Sequence, residues 1–556
     1  MFYEMYINLK RETIYCCCHG ANDKLNIFKC IFKLIPLEFF GNVCNRTKFF
    51  FVVKRILSQS KGECIHVNCL WEDYIYDCIT WLSPEENKNS VEVQLCQANI
   101  LVLQTVVKPF INYFYYCLRD SKSRKYLFVS RCAMDSFIDK THNFYMNTNI
   151  LQPVHSGNIA TSFTCLSDIF KKDFSSNLYE CWKEYLKLNK YIKRVYAIKV
   201  DIVNAFGLVD QNILIGLIER NDIFTIAEKQ FLFNYILNQY VCVRKPSQIY
   251  KWNIGLPQGC KLSPLLCDLY LSYMCHANLS QFTKNNSIIH RTMDDMLFIS
   301  TSFDEICEFE IKASETFIIN GSKTQKFSHM GKDPCISYCG KIFNMESKEV
   351  SNDYSFEKDT EMRYKFKLWN RKYEIKKEDA FKFITNVIKF STVSFYFSKF
   401  VLNTHFNSCD IVLTNIFEAM CLVAFKIDGA VHSISYAFSS AEHRTQTIQK
   451  CIDYILQHYI FKIKRLIEQT KGDFFENVFS YHAIKFVILR ACIVVFNRRN
   501  QIYRDVIKCI KKEAKGLYLK KYDKKTYSVL PLKFKNIRMN RRQCMSNMEF
   551  RNTYEK

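Results

Sequence analysis

Glycine and proline are scarce in this sequence. Among its 556 residues there are 14 glycines and 9 prolines, whereas 48% of the residues are hydrophobic and 15% are aromatic. Long flexible or low-complexity linkers need the opposite composition. A chain of this length also exceeds what one hydrophobic core usually holds. The composition therefore predicts a few compact, helix-rich domains.

Acidic residues are outnumbered by basic ones. Lys and Arg number 78 against 54 Asp and Glu, which gives a formal net charge of +24. Polyanions such as nucleic acids are the expected partners of this surplus. On charge alone, a generic basic protein with a Lys- and Asn-rich composition is an equally good interpretation.

Secretory, zinc and membrane signals are missing. The 26 cysteines are scattered, with no even framework and no secretory signal ahead of them, so a reducing compartment is expected. Cys16–Cys18 with His19 lacks a second pair at zinc-ligand spacing. No run of about 18 uncharged apolar residues occurs, because the best candidate, 486–496, contains Arg490. A soluble protein without a membrane partner is predicted.

The hydrophobic pattern divides the chain into four parts. Apolar residues recur mostly at helical spacing in residues 1–140, which predicts a helical N-terminal domain. Residues 141–348 alternate strand-like segments such as RVYAIKVDIVNAF with helical ones such as SPLLCDLYLSYMCHANL, which predicts an α+β domain. Residues 349–540 are helical again, and 541–556 form a basic tail. The tail is as easily a solvated end as a nucleic-acid or nuclear-import patch.

Carboxylates lie where strands of the middle domain are predicted to end. KVDIVNAF contains Asp201, and RTMDDMLF contains Asp294 and Asp295. Ionised carboxylates out of water need a cation, and Mg²⁺ prefers carboxylate, water and phosphate oxygens. Two such ions about 3.5–4 Å apart stabilise both reacting oxygens of a phosphoryl transfer. Either segment alone is as easily a cap or a hairpin tip, but GLPQGCKLSPLLCDLYLSYM lies between them, and that order predicts a nucleotidyl-transfer site.

These segments resemble the motifs of reverse transcriptases. VDIVNAF resembles motif A, GLPQGCKLSPLLC resembles motif B, and the predicted hairpin of RTMDDMLF resembles motif C. Three further features resemble telomerase reverse transcriptases in particular: Arg291 three residues before Asp294, NGSKT with Lys323 as motif D, and Tyr338-Cys339-Gly340 as the primer grip of motif E.

The resemblance extends to both flanking regions. IFKLIPLEFFGNVCNRTKFF and NYFYYCLRDSKSRKYLFVSR resemble blocks of the telomerase RNA-binding domain, and TNIFEAMCLVAFK resembles a helix of the thumb extension. It implies a right-hand polymerase with fingers and an antiparallel palm sheet at 141–348. A helical RNA-binding domain at 1–140 and a helical thumb at 349–540 would flank it. Because little precedes the RNA-binding region, a short form without the separate N-terminal DNA-anchoring domain is expected.

The resemblance also implies roles for individual residues. Asp201, Asp294, Asp295 and the backbone of Ile202 would hold two Mg²⁺ ions, and Lys323 would neutralise or protonate the leaving pyrophosphate. The other implied contacts are with the nucleotide at Phe206, Gln258 and Gly259, with the primer at Tyr338, Cys339 and Gly340, and with RNA at Trp71, Tyr115, Tyr116, Arg119, Lys125 and Arg131. Phe206 corresponds to the aromatic residue that crowds a ribose 2′-hydroxyl.

The implied function is RNA-templated DNA synthesis at telomeres in the nucleus. The partners would be a telomerase RNA, a single-stranded telomeric DNA primer and deoxynucleoside triphosphates, with accessory proteins unspecified. A retroelement or intron reverse transcriptase is a second interpretation, although no metal-ligand cluster of an attached nuclease is visible. A catalytically inert RNA-binding scaffold is a third, because no Lys or Arg lies between Lys140 and Lys171, where the family's fingers offer cations. Either Lys171 or Lys172 substitutes, or nucleotide affinity is weak.

Overall fold

The structure is a computed structural model. It describes residues 24–58, 67–82, 88–119, 126–139, 151–154, 178–355 and 377–519, except 133, 137, 138, 193, 223, 243–248, 261, 284–286, 328–333 and 471–478. Several features singled out from the sequence lie outside the described residues: the Cys16–Cys18 segment with His19, Lys125, Lys171, Lys172 and the tail at 541–556.

Helices form most of the described N-terminal region. They are α1 (Lys24–Leu34), α2 (Val43–Leu57), α3 (Lys88–Val102) and α4 (Lys108–Phe114), with a π-helical turn at Leu103–Val107 between the last two. Helix α2 begins at Asn42, whose side chain accepts a hydrogen bond from the Asn45 N–H at 2.8 Å. Helices α1, α2 and α4 pack in one core around Ile27, Phe49 and Phe110, whereas Leu95 of α3 lies in a separate small cluster.

A β-hairpin interrupts the helical pattern of this region. Strands β1 (Tyr115–Arg119) and β2 (Tyr126–Ser130) pair in antiparallel register. The prediction of a helical domain is therefore wrong for this segment. Tyr115 and Phe128 are buried in the helical core, and runs rich in aromatic and β-branched residues favour strands.

One helical stretch qualifies the prediction that no segment could span a membrane. By length and composition alone, the helical stretch Ser90–Phe114 is long and apolar enough to cross a membrane, with a mean hydropathy of 1.2 in its most apolar 18-residue window. One such helix is weak support for a membrane span, because helices of soluble proteins pass the same test. The 486–496 segment lies instead in the helix Tyr481–Phe496, whose apolar side chains are mostly buried.

Three antiparallel sheets form the middle region. Its strands are β3 (Leu151–Val154), β4 (Tyr196–Asp201), β5 (Tyr240–Cys242), β6 (Ile249–Trp252), β7 (Ser287–Thr292), β8 (Asp295–Ser300), β9 (Gln325–Phe327), β10 (Cys335–Tyr338), β11 (Lys341–Asn344) and β12 (Val350–Asn352). The spatial orders are β3-β6-β5, β7-β8-β4-β9 and β10-β11-β12. The helices are α5 (Leu178–Leu188), α6 (Gln211–Glu219), α7 (Ile226–Leu237), α8 (Ser263–Leu279) and α9 (Phe303–Thr316).

The four-stranded sheet is covered on both faces. Successive side chains of a strand point to opposite sides, so Ile198 and Phe298 join the core formed with α6, α7, α8 and α9. Ala197 and Leu297 point the other way and join a core shared with α5, the β10–β12 sheet and the C-terminal helices. The end of this sheet is therefore held rigidly from both sides.

The C-terminal region is helical. It consists of α10 (Ala380–Val387), α11 (Cys409–Ser433), α12 (Ala441–Glu468), α13 (Tyr481–Phe496) and α14 (Asn500–Leu519). Helix α11 is apolar around most of its circumference and lies in the middle of the bundle. Ser408, Ser440 and Ser480 are the N-cap residues of α11, α12 and α13, and each side chain accepts a hydrogen bond from a backbone N–H three residues later. The predicted α+β class, with helical regions on either side of antiparallel sheets, is confirmed.

Candidate active site

Three carboxylates meet at one end of the four-stranded sheet. The register of β4 and β8 sets Asp201 directly opposite Asp295. The Ile202 N–H donates to the carbonyl oxygen of Asp294 at 2.8 Å, and this bond joins the end of β4 to the β7–β8 hairpin. The structure thus brings together the acids that the sequence order predicted to form one site.

Two lysines form ion pairs with two of these carboxylates. Lys323 Nζ is 3.0 Å from Asp201 Oδ1, and Lys199 Nζ is 3.3 Å from Asp295 Oδ1. Like charges directly opposite each other across a sheet are destabilising, so the site needs cations. Burial raises the pKa of Asp295, Lys199 opposes this effect, and Asp294 and Asp201 raise the pKa further. The hydrogen bond to Asp201 raises the pKa of Lys323.

Asp201 and Asp294 suit a divalent cation better than Asp295 does. In the part of the chain that the structure describes, no three His, Cys, Asp or Glu side chains are arranged to hold a metal ion by themselves. Lys323, with a side chain 61% exposed, can turn into solvent and leave Asp201 to a metal, whereas Lys199, 17% exposed, is a fixed partner of Asp295. Carboxylate oxygens are the ligands that hard divalent cations prefer, and the negative charge of the neighbouring acids favours binding of such an ion.

The β7–β8 hairpin presents Asp294 at its tip. Because Thr292 pairs with Asp295, only Met293 and Asp294 form the turn. Met293 has φ +55°, in the left-handed region that favours glycine. Asp294 is exposed there, while Asp295 points back over the sheet and is half-buried.

The residues predicted to contact the nucleotide lie on two loops that touch. The Leu256 N–H donates to the Phe206 carbonyl oxygen at 2.8 Å. Gly255 permits this approach, since it has φ +71° and a Cβ there would lie 2.6 Å from the same oxygen. Just beyond, Gln258 and Gly259 are exposed, and Gly259 has φ +92° with nothing within 4 Å of its Cβ position. The turn is therefore open to a ligand.

The predicted primer grip is a tight hairpin turn between β10 and β11. Cys339 and Gly340 are its two central residues, with φ +48° and +69°, as a type I′ turn requires. A Cβ on Gly340 would lie 2.7 Å from Phe395 Cζ, so the turn is packed against the C-terminal region. The prediction of three contact residues needs correction: the Tyr338 ring and Gly340 are both buried, so only the partly exposed Cys339 can face a primer.

Tyr338 instead connects this turn to the strands that carry the acids. Its hydroxyl lies 2.8 Å from His290 Nδ1, 3.1 Å from the His290 carbonyl oxygen and 3.3 Å from the Asp295 carbonyl oxygen. Cys339 Sγ lies 3.3 Å from Thr292 Oγ1. The predicted primer grip and the β7–β8 hairpin are therefore held as one unit.

Lys341 follows this turn and is buried without a described carboxylate beside it. Its ammonium donates to Asn352 Oδ1 at 2.7 Å and to the Phe395 carbonyl oxygen at 2.8 Å, and it lies 3.9 Å from the centre of the Phe395 ring. Burial lowers the pKa of Lys341 to about 7. The protonated form of Lys341 therefore destabilises the folded state relative to the neutral form.

The buried lysine predicts a pH-dependent stability difference between wild type and Lys341→Met. The unfolded chain binds the proton up to a pKa of about 10.4, whereas the folded chain releases it near 7. The stability contributed by neutral Lys341 is therefore fully present only at high pH and is lost as pH falls to 7. Between pH 7.5 and 9, wild type should gain about 1.4 kcal/mol per pH unit relative to Lys341→Met. Urea unfolding of both proteins at each pH measures the difference, and parallel profiles would contradict it.

The aromatic and basic residues predicted to bind RNA have different environments. Tyr115 is 2% exposed and packs in the helical core, so its prediction as an RNA-contacting residue is wrong. Arg131 lies over the Tyr116 ring at 4.5 Å and donates to the Asn112 carbonyl oxygen at 2.7 Å. Trp71 packs partly buried in a small separate cluster. Arg119 ends β1.

Sequence reasoning missed two residues that shape the site. Lys199 lies two residues before Asp201, and side chains two residues apart in a strand lie on one face. The sequence could therefore have predicted a lysine beside the acids. Gly255 lies three residues before Gln258, but nothing in the local sequence shows which loop approaches it.

Three protein families match successive parts of the chain. The RNA-binding domain of the telomerase ribonucleoprotein complex matches residues 26–143. Reverse transcriptase (RNA-dependent DNA polymerase) matches 154–364. The DNA-binding thumb domain of telomerase reverse transcriptase matches 355–545.

Two curated relatives, both telomerase reverse transcriptases, are similar over about half of the chain. The protein of Oryza sativa subsp. japonica is 22% identical over 348 residues, covering 53% of this chain and 26% of the relative. That of Takifugu rubripes is 19% identical over 335 residues, covering 56% of this chain and 30% of the relative. The similarity thus spans less than a third of either relative's length.

Solved telomerase structures share the fold. Telomerase from Candida albicans, solved with a TWJ fragment of telomeric RNA, superposes with a TM-score of 0.61 at 15% identity, covering 89% of this chain and 88% of that one. Apo telomerase from Candida tropicalis gives a TM-score of 0.50 at 15% identity, covering 93% and 95%. Reverse transcriptases in general use divalent metal ions, which agrees with the acids at the end of the four-stranded sheet. With telomerase-specific families matching on both sides of the reverse transcriptase region, the chain belongs to the telomerase reverse transcriptase family.

Proposed function

We propose that this protein copies a bound RNA onto the 3′ end of single-stranded DNA and adds telomeric repeats to chromosome ends in the nucleus. One observation carries the proposal: Asp201, Asp294 and Asp295 meet at the end of the four-stranded sheet, beside the contact between the Phe206 loop and the turn of Gln258. A polymerase needs this combination of cation-binding acids and an open turn for the nucleotide, here Gln258 and Gly259, which we call the nucleotide turn. The telomerase-specific families on either side favour this function over that of a retroelement enzyme.

Two Mg²⁺ ions are the proposed cofactors. Asp201, Asp294 and the carbonyl of Ile202 would hold them, and when bound they would activate the 3′-hydroxyl and stabilise charge on the phosphates. Lys323 supplies a mobile positive charge beside Asp201, suited to the leaving pyrophosphate. Lys199 holds Asp295 in place as a supporting acid.

The proposed partners follow the three regions of the chain. A telomerase RNA would contact the N-terminal region, where the exposed Arg131 guanidinium and the Tyr116 ring form a cationic, aromatic surface. The DNA primer would lie against the turn of Cys339 and Gly340 and the thumb. Deoxynucleoside triphosphates would enter at the turn of Gln258 and Gly259. We propose domain boundaries at 1–140, 141–348, 349–540 and 541–556.

Primer extension tests this function. The protein is purified with its copurifying RNA and given a telomeric oligonucleotide, deoxynucleoside triphosphates and Mg²⁺. Extension that ends after ribonuclease treatment is expected, with telomeric primers preferred over unrelated ones. Extension of any primer without preference would favour a retroelement enzyme. Retention of RNA without extension would identify an inert scaffold.

Phe206→Ala is expected to admit ribonucleotides that the wild type rejects. The half-buried Phe206 lies on the loop that contacts the nucleotide turn, and we propose that its ring fills the space of a 2′-hydroxyl. Removing it should reduce the preference for deoxynucleotides by about 10-fold or more, as expected for a lost steric contact. Competition between the two kinds of triphosphate measures the ratio.

Phe231→Ala is the matched control for this prediction, because Phe231 is a half-buried aromatic residue of the same core on α7. Its sugar preference should equal that of the wild type. An unchanged preference in Phe206→Ala would make Phe206 an ordinary packing residue.

A further inference from the structure

One arginine ties the hairpin that carries Asp294 to a neighbouring helix. Arg291 Nη2 lies 2.7 Å from Asp268 Oδ1, 3.1 Å from the Asp268 carbonyl oxygen and 2.6 Å from Ser272 Oγ. Arg291 Nη1 donates to the Met293 carbonyl oxygen at 2.9 Å. The Arg291 side chain is 9% exposed, so these contacts are shielded from water and from salt.

The helix held by Arg291 is α8, which follows the nucleotide turn. Asp268 and Ser272 lie four residues apart on α8 and present their side chains on one face. The same guanidinium reaches from this face to the turn of the β7–β8 hairpin. Gln258 and Gly259 lie just before the first residue of α8, Ser263. Arg291 therefore joins the element behind the nucleotide turn to the element that carries Asp294.

The carbonyl that Arg291 holds belongs to the residue with the unfavourable backbone conformation. Met293 has φ +55°, and a residue with a Cβ adopts this region only where its surroundings enforce it. Turning this peptide into an ordinary conformation would move the Met293 carbonyl away from Arg291 and Asp294 with it. The planar guanidinium, with several donors in a fixed arrangement, suits this task, and a lysine does not.

We propose that Arg291 is a positioning residue that holds Met293 in its left-handed conformation and thereby fixes Asp294 relative to the nucleotide turn. Its effect on synthesis rests on the proposed function, since Asp294 matters there only as a metal-holding acid. Its effect on the hairpin does not depend on that function. Arg291 contacts neither substrate nor metal in this role.

A second-site substitution separates this role from general stability. In the full-length protein with its RNA, Arg291→Ala should lower kcat by about 10- to 100-fold with little change in the KM for primer, as expected for a residue that orients a metal ligand. Met293→Gly alone should stay near wild type, because glycine adopts positive φ without strain. Arg291→Ala/Met293→Gly should recover about fivefold or more over Arg291→Ala. Arg291→Lys should resemble Arg291→Ala.

The control variant is Lys326→Ala, which removes an ion pair to Glu310 at 2.6 Å on the neighbouring strand β9 and should leave kcat unchanged. A double variant no more active than Arg291→Ala, or Arg291→Ala activity within about twofold of wild type, would overturn the proposal.

Hydrogen exchange of the segment 287–300 provides a readout that needs no activity. Exchange at the hairpin should accelerate in Arg291→Ala and return toward wild type in the double variant. If wild type extends no primer, the proposed function fails, and exchange alone still decides the role of Arg291. Equal exchange in Arg291→Ala and wild type would overturn the role even if extension is observed.

Discussion

Asp201→Asn is expected to lower primer extension by at least about 100-fold while the protein keeps its RNA. Asp201 is buried at the end of β4, opposite Asp295, and in our account it is the central carboxylate for both metal ions. Losing such a ligand removes stabilisation of developing charge worth on the order of 3 kcal/mol or more. In our proposal the RNA contacts the N-terminal region, so its retention should not change.

Extension rate and RNA retention are measured in parallel for this variant. Asp304→Asn is the matched control, because Asp304 is an exposed acid on α9 of the same region and should behave as wild type. Extension by Asp201→Asn above about a tenth of the wild-type rate would contradict its assignment as a metal ligand. Loss of RNA together with activity would point to misfolding.

Gly255→Ala is expected to reduce kcat/KM for nucleotide by about 100-fold, because displacements of about 1 Å near an active site have effects of this size. Its Cβ would lie 2.6 Å from the Phe206 carbonyl oxygen and 2.7 Å from Gly207 Cα, and φ +71° would strain any other residue. The Phe206 loop and the nucleotide turn would have to separate. The hydrogen bond from Leu256 to Phe206 would then be lost.

Gly216→Ala is the control for this prediction. Gly216 lies in helix α6, and the nearest atom to an added Cβ is Arg220 Nη2 at 3.9 Å, an ordinary contact. Activity near wild type is expected there, with unchanged circular dichroism for both variants. Nucleotide kinetics of Gly255→Ala that match those of Gly216→Ala would show that the two loops need not touch.

Features that depend on local sequence were predictable. The β-branched and aromatic residues of RVYAIKVD predicted β4, the apolar stretch SPLLCDLYLSYMCHANL predicted α8, and RTMDDMLF predicted the hairpin that bears Asp294. Each depends on a pattern within about 20 residues, the range over which strand and helix periods are read. The family resemblance then indicated which ends of these elements meet.

Features that depend on contacts distant in sequence were not predictable. Whether a tyrosine ring is core or surface is decided by packing, because the residue has both an apolar ring and a polar hydroxyl. Tyr115 and Tyr338 were therefore predicted as contact residues but are buried. The same holds for the pairing of Lys199 with Asp295 and of Arg291 with Asp268, since strand register and helix docking bring these charges together.

Substituting one base in the RNA bound to this protein tests the central claim most directly. The RNA that copurifies is sequenced, a base in its region complementary to the added repeat is changed, and the reconstituted complex extends a primer. RNA-templated synthesis predicts the complementary change at one position in every repeat added. Products that keep their original sequence, or that form without the RNA, would contradict the account.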